Sequence, residues 1–357
     1  MSSLESISLH RLEIPLKVPY KLAFGPVKHF DTVIARITDK DGNTGLGEAT
    51  ILTGYTEETI DQSWKFATAI SQILVSKSKS EIQTLLGSAL STNPFTVTAL
   101  ATAIEMATNA KLFSNHSETT IPILGVVNSE TIEDLEIEIE NLLIKGFSTL
   151  KVKVGFEVNK DLLKVSNVQK VLRNRAKIRI DGNQGYSRSQ AIHFIENLAP
   201  DGIELFEQPC HADDWDTALA IAKIAHIPMM LDESIYNCDD IKKAAKLNAA
   251  TYIKVKLMKF GWLAELEAAL SLISELGMKP VLGNGVAGEV GCWMEALAAK
   301  KFITNSGEMN GYLKPISSIL MNPLQFKNGG LLLEANYIPR IDLESLERFQ
   351  VSSLEFH

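Results

Sequence analysis

Five short runs in the middle of the chain end in ionisable side chains. These are Lys151 and Lys153 in TLKVKV, Asp181 in KIRID, Glu207 in IELFEQ, Asp232 in PMMLDE, and Lys254 and Lys256 in TYIKVKL. Three carboxylates brought to one face would repel and raise one another's pKa unless a cation stood between them. Their hard oxygen donors, with no His or Cys among them, suit Mg²⁺ better than zinc. Lys151 and Lys153 are two apart and share one strand face, so each ammonium is expected to depress the other's pKa. A metal ion nearby would depress both further, which is how a lysine becomes a base near neutral pH. Lysines on both sides of a metal-bound substrate imply proton removal from one face and delivery to the other. Taken singly, each acid reads as an ordinary helix N-cap or loop-start residue. In phase with one repeat, the set reads as a site.

That repeat is what must position them. Val127, Lys153, Asp181, Glu207, Asp232, Lys256, Gly283 and Glu308 follow at intervals of 26, 28, 26, 25, 24, 27 and 25 residues. A parallel strand with its return helix takes about 25 to 30 residues, and the strands of a barrel built this way end together at the active-site face. Eight apolar, β-branched runs from IPILGVV to KFITNS alternate with amphipathic stretches such as Ile132–Lys145 and Leu263–Leu276. They predict an α/β fold with a (β/α)7β, TIM-like barrel over residues 120–313. Residues 1–115 read as an α+β capping domain. Its strands are SISLHRLEIPL, DTVIARITD and NTGLGEATI, with a hairpin turn at Lys40–Asn43. Helical spacing follows at Glu57–Val75, Lys79–Leu90 and Pro94–Phe113. The tail, 314–357, breaks the rhythm and is expected to return to the capping domain.

Composition narrows the partners. The 357 residues carry a formal charge of −8, so no broad basic face for nucleic acid is expected. No stretch approaches the roughly 18 apolar residues of a membrane span, and MSSLESISLH lacks the pattern of a signal peptide. Cys210, Cys238 and Cys292 are too few and too far apart for a disulfide framework or a zinc cluster. A cytoplasmic enzyme acting on a small molecule is expected; a homo-oligomer is compatible with the sequence, which does not define the subunit number.

Several motifs together resemble the enolase superfamily, specifically its muconate-lactonising branch, over nearly the whole chain. They are KVKVG at Lys151–Gly155, DGNQGY at Asp181–Tyr186, IELFEQP at Ile203–Pro209, LDES at Leu231–Ser234 and KLMKFG at Lys256–Gly261. The resemblance implies that Asp181, Glu207 and Asp232 bind Mg²⁺ and that Lys153 and Lys256 are an opposed acid/base pair. Lys151 would support the substrate carboxylate and lower the pKa of Lys153. The KLMK segment is most similar to the dipeptide epimerases of the Ala-Glu type, which invert the α-carbon of the second residue.

Two departures bear on the substrate. Where those epimerases hold the N-terminal ammonium with Asp-x-Asp, this chain has Glu308-Met309-Asn310, whose carboxylate and amide can still receive an ammonium. Where they carry an arginine facing the substrate's glutamate, the stretch Tyr20–Pro26 has Phe24 and Gly25. A carboxylate buried without its partner is costly, so a small first residue and an apolar second one are expected. Phe24, Ile51, Leu52 and Tyr55 would line that pocket, and Lys21 or Lys28 could substitute for the arginine. Gly283, Asn284 and Gly285 follow the seventh strand, where backbone could approach the substrate. Other activities of the branch would use the same lysines and metal: N-acylamino acid racemisation, o-succinylbenzoate synthesis and cycloisomerisation. A Schiff-base aldolase would leave the converging carboxylates unexplained, and a non-catalytic, metal-stabilised binding protein would leave the acid/base lysines without a use.

Overall fold

The computed structural model describes residues 4–22, 25–52 and 57–357. An antiparallel meander opens the chain: β1 (Leu4–Leu22), β2 (Gly25–Asp39) and β3 (Thr44–Ile51). Asp39 Oδ1 closes the turn between β2 and β3 by accepting the N–H groups of Asp41 (3.0 Å) and Asn43 (2.8 Å). Three helices follow, α1 (Ile60–Leu74), α2 (Lys79–Ala89) and α3 (Pro94–Thr108). Thr59 caps the first, a Ser78–Glu81 capping box starts the second, and Pro94 opens the third. Alternate strand residues Ile7, Leu9, Ala35, Ile37 and Ala49 share one core with Ala67, Leu74, Leu86 and Leu100 of the helices. The third helical stretch ends earlier than its apolar spacing suggests. It stops at Thr108, and Ala110–Phe113 form a separate 3₁₀ turn.

After β4 (Thr119–Pro122) the strands and helices alternate. In chain order they are β5 (Gly125–Val127), α4 (Ile132–Ile144), β6 (Thr149–Lys153), α5 (Val158–Leu172), β7 (Lys177–Asp181) and α6 (Arg188–Asn197). Then come β8 (Ile203–Glu207), α7 (Trp215–Ile224), β9 (Met229–Leu231), α8 (Cys238–Leu247) and β10 (Tyr252–Val255). The last units are α9 (Leu257–Phe260), α10 (Leu263–Glu275), β11 (Lys279–Leu282) and α11 (Glu289–Phe302). Strands β5 to β11 form one seven-stranded parallel sheet whose spatial order follows the chain. Their inward residues Leu205, Met230, Tyr252 and Val281 make an apolar layer beneath the strand ends.

The eighth run departs from its expected form. Lys301 and Phe302 complete α11, and 303–308 form no strand. The segment still touches both edges of the sheet. Gly307 N–H donates to Pro122 (2.9 Å), Leu124 N–H donates to Gly307 (3.0 Å), and Glu308 N–H donates to Leu282 (3.0 Å). Side-chain bonds replace a regular ladder here: Asn305 donates to the Pro280 carbonyl (2.9 Å) and accepts from Arg179 (3.0 Å). In the tail, β12 (Gln325–Lys327) and β13 (Gly330–Leu333) form a sheet with β4. Beyond α12 (Leu343–Phe349), β14 (Gln350–Phe356) pairs antiparallel with β1, with Ile7 opposite Phe356. No helix among the described residues is long and apolar enough to cross a membrane.

Two carboxylates from the first layer finish helices of the second. The N-cap positions of α10 and α11 are Trp262 and Gly288, and neither makes a side-chain cap. Glu105 of α3 instead accepts the N–H groups of Leu263 (2.7 Å) and Ala264 (3.1 Å). Glu48 of β3 accepts that of Gly291 (2.8 Å). Orphan donors and the positive end of each helix dipole are thereby satisfied across the junction. Burial pushes both carboxyls up to about 7, against the pull of those N–H groups. For Glu105 the folded form thus holds its proton more tightly than the unfolded chain, so stability falls as pH rises from about 4.5 to about 7. Thermal unfolding of Glu105→Gln is expected to gain on the wild type across that window, by about 3 kcal/mol at most. Parallel pH curves for the two proteins would contradict this.

Candidate active site

The strand register sets the site. Lys153 of β6 lies beside Asp181 of β7, which lies beside Glu207 of β8. Asp232 follows the last residue of β9, and Lys256 follows the last of β10. The carboxylate-bearing strand ends β7, β8 and β9 are therefore flanked by Lys151 and Lys153 of β6 on one side and by Lys254 of β10 and the following Lys256 on the other. Parallel strands running the same way make this unavoidable once the sequence places an ionisable residue at each strand end.

The carboxylates are almost wholly buried, and ammonium groups lie between them. Lys151 Nζ is 2.8 Å from Asp181 Oδ2, 3.0 Å from Glu207 Oε2 and 2.9 Å from Glu308 Oε1. Lys254 Nζ is 2.6 Å from Glu207 Oε1, 3.1 Å from Asp232 Oδ2 and 2.8 Å from Glu308 Oε2. Lys256 Nζ stands 2.8 Å from Asp232 Oδ2. Lys153 differs: its side chain is exposed at the mouth and makes no ion pair among the described residues. The turn behind it is fixed by Asp161 Oδ2, which accepts the N–H groups of Gly155, Phe156 and Glu157 and the Tyr186 hydroxyl.

Charge and burial pull the pKa values apart. Burial, and then Asp181, push Glu207 up to about 8 despite the two lysines beside it. Burial also opposes ionisation of Asp232, but Lys254, Lys256 and Lys259 overcome it and hold that carboxyl well below its usual range. Lys151 does not behave as its spacing from Lys153 suggests. Burial lowers its pKa, yet Asp181, Glu207 and Glu308 together raise it above the ordinary lysine value, because the ammonium faces three carboxylates. Glu308 is held far down, against burial, by Lys151 and Lys254.

By donor type the set suits a hard divalent cation, although the ammonium groups of Lys151 and Lys254 stand between the three carboxylates in this structure. Glu207 Oε2 is buried without an aligned hydrogen bond, although Lys151 Nζ is near it. Asp181, Glu207 and Asp232 offer oxygen alone, from three neighbouring strand ends.

The remaining expected residues fall in three places. Gly283 packs against the lysine stems: a Cβ there would lie 2.6 Å from Lys254 Cε and 2.9 Å from Lys256 Cγ, so a larger residue would have to displace those stems. Asn284 and Gly285 shape the turn behind it, with Asn284 donating to Glu295 (2.6 Å) and accepting from Ala287 N–H (2.8 Å). Asn310 accepts from Lys314 (3.3 Å). In the cap, Ile51 and Leu52 are buried and Lys28 is exposed. Gly25 pairs with Leu22 across the β1–β2 hairpin. Phe24, Tyr55 and the side chain of Lys21 lie outside the described residues.

Two supporting residues escaped the sequence reading. Lys259 Nζ binds Asp232 Oδ1 (3.0 Å), the Asp232 carbonyl (2.6 Å) and the Ile235 carbonyl (2.7 Å). Gln208 Oε1 accepts the N–H of Asp232 (3.0 Å). Lys259 is three residues past Lys256, a helical spacing that was visible. Nothing local to Gln208 marks its role.

Comparison with known proteins agrees with this geometry. Residues 6–111 match the model for the mandelate racemase/muconate lactonizing enzyme N-terminal domain, and 134–335 match the enolase C-terminal domain-like model. The L-Ala-D/L-Glu epimerase of Bacillus subtilis is 28% identical over 315 residues, covering 84% of this chain and 86% of that protein. The L-Ala-D/L-Glu epimerase of Francisella tularensis subsp. novicida is 27% identical over 333 residues, covering 88% and 91%. A dipeptide epimerase from Cytophaga hutchinsonii, solved with Mg and the dipeptide D-Ala-L-Val, shares the fold. Its TM-score is 0.87 at 20% identity, over 99% of this chain and 100% of that one. With both of its domain models matched, and lysine-flanked carboxylates at its strand ends, the chain belongs to the enolase superfamily, among the isomerases of the muconate-lactonising branch.

Proposed function

We propose that the chain is a Mg²⁺-dependent dipeptide epimerase, inverting the α-carbon of the second residue by 1,1-proton transfer. One observation carries this reading: Lys153 and Lys256 stand on strands that flank the three carboxylate-bearing ends. A substrate held over those ends would have its α-carbon between two amines, one on each face. One Nζ removes the α-proton, and the other, as an ammonium, returns a proton from the opposite side. Asp181, Glu207 and Asp232 would hold the Mg²⁺. When bound, it would take the substrate carboxylate and stabilise the negative charge that builds up beside the α-carbon. Lys151 would support that carboxylate, while Gly283 lets the stems of Lys254 and Lys256 lie close against the turn.

Glu308 and Asn310 would receive the dipeptide ammonium. The side-chain preference is for a small first and an apolar second residue. It is supported by the absence of arginine from Tyr20–Pro26 and by the apolar Leu52. We assign 1–115 to the cap, 120–313 to the barrel and 314–357 to the returning tail, with 306–308 closing the barrel between β11 and β5. Free Cys210, Cys238 and Cys292 fit a cytoplasmic setting.

A second reading has its own observation. Glu308 is already bridged by Lys151 and Lys254, and Asn310 by Lys314. A substrate without a free ammonium, N-blocked as in N-acylamino acid racemisation or lacking an amine as in o-succinylbenzoate synthesis or cycloisomerisation, asks for no ammonium anchor. Activity on N-acyl amino acids with none on free dipeptides would select it.

Incubation with L-Ala-L-Val in D₂O and Mg²⁺ should give the L,D product with deuterium at the second α-carbon. No exchange with any dipeptide or N-acyl amino acid would sink the proton-transfer reading. Lys153→Ala and Lys256→Ala should each lower epimerisation by at least ~1000-fold. In one of them, exchange should survive from the epimer whose α-proton faces the remaining lysine. Complete loss of exchange from both epimers in both variants would contradict opposed bases. Gly283→Ala should lower turnover at least ~10-fold with the fold intact, since a misplaced reacting group costs that much. Unchanged turnover would show that the lysine stems yield freely.

A further inference from the structure

Among the described residues, Val286 is the one β-branched side chain at positive φ, +63°. Such a residue persists there only where its surroundings over-determine it. Val286 lies in the turn between β11 and α11, three residues past Gly283 and its contacts with Lys254 and Lys256. The turn is pinned from several sides. Asn284 ties it to Ala287 and Glu295. A Cβ on Gly285 would lie 2.5 Å from Met258 Cγ, and Glu48 grips the start of α11.

A turn held this way directs Val286 out of the barrel and into the cap. It is 7% exposed and forms a small apolar cluster, separate from the main cores, with Leu16, Phe30 and Leu52 and with Val27 against them. Leu16 belongs to β1, Val27 and Phe30 to β2, and Leu52 immediately follows β3. A glycine at 286 would adopt the backbone without strain but leave Leu16, Phe30 and Leu52 facing a hole. The strained backbone thus accompanies the packing it makes available.

We propose that Val286 is a positioning residue, the peg by which the turn abutting Lys254 and Lys256 holds the β1–β2 hairpin and the end of β3, and so sets which second-residue side chain the site admits. The tether rests on packing alone; the selectivity rests on the epimerase reading. The link is physical: the hairpin and the residue after β3 are fixed to this turn through Val286, while Asn284 separately holds the end that backs the lysines, so trimming the peg loosens the cap side alone.

Hydrogen–deuterium exchange of the full chain tests the tether without any substrate. Val286→Ala and Val286→Gly should speed exchange at residues 14–18, 26–34 and 48–52 at least tenfold, with α4 to α8 unchanged. Val286→Ile should keep the wild-type protection. Unchanged exchange in Val286→Gly, or loosening spread equally through the barrel helices, would overturn the proposal. On L-Ala-L-Val and L-Ala-L-Phe, Val286→Ala should change the ratio of the two KM values at least fivefold while each kcat stays within twofold. An unaltered ratio in a working enzyme would overturn the selectivity half. If the wild type processes no dipeptide while the exchange result holds, the epimerase reading fails and the tether stands.

Discussion

Lys151 and Lys254 each place one ammonium group within 3.1 Å of three carboxylates, and they share Glu207 and Glu308. Burying an ion costs several kcal/mol unless it is paired at close range, so none of these groups could occupy the strand ends without the others. Four acids, Asp181, Glu207, Asp232 and Glu308, stand against four lysines, 151, 254, 256 and 259. Their close pairing lets a densely polar cluster sit above an apolar layer of Leu205, Met230, Tyr252 and Val281. It also explains why Lys153 stands apart. With the acids matched by other lysines, its ammonium extends to the mouth, where a substrate would meet it.

Everything above that cluster depends on how the first domain is seated. Glu48 and Glu105 cap barrel helices whose own N-cap residues cannot, and Val286 reaches back in the other direction. These contacts cross the same junction, near the turn that backs Lys254 and Lys256. Under the proposed function, substrate side chains would be met by the cap and protons moved at the strand ends, so this junction would keep selectivity and chemistry in register. Strand β14, paired with β1, adds a fourth strand to the cap sheet and ties the end of the chain to its start.

Much of this was legible in the sequence, because the decisive signals are periodic. Strand ends recurring every 25 or so residues point to the parallel order β5 to β11, and the carboxylates and lysines at those ends are the ones the structure brings together. What could not be read is three-dimensional pairing. Lys151 and Lys153 looked like neighbours that would depress each other, whereas Lys151 faces three carboxylates from distant strands. The KFITNS run looked like an eighth strand, but side-chain bonds from Asn305 and Arg179 replaced its ladder. Glu48 and Glu105 carry no local mark of capping, since the helices they serve begin more than 150 residues later. The backbone of Val286 is set by its neighbours in the turn, which no propensity foretells.

The strand-end acids matter to this account as a divalent-cation site maintained between lysines, and calorimetric titration with Mg²⁺ tests that most directly. The wild-type chain should bind one Mg²⁺ saturably, and Glu207→Gln and Asp181→Asn should each weaken binding at least ~10-fold while cooperative unfolding is retained. A wild-type chain that binds no Mg²⁺, or two variants that bind it as the wild type does, would contradict the account.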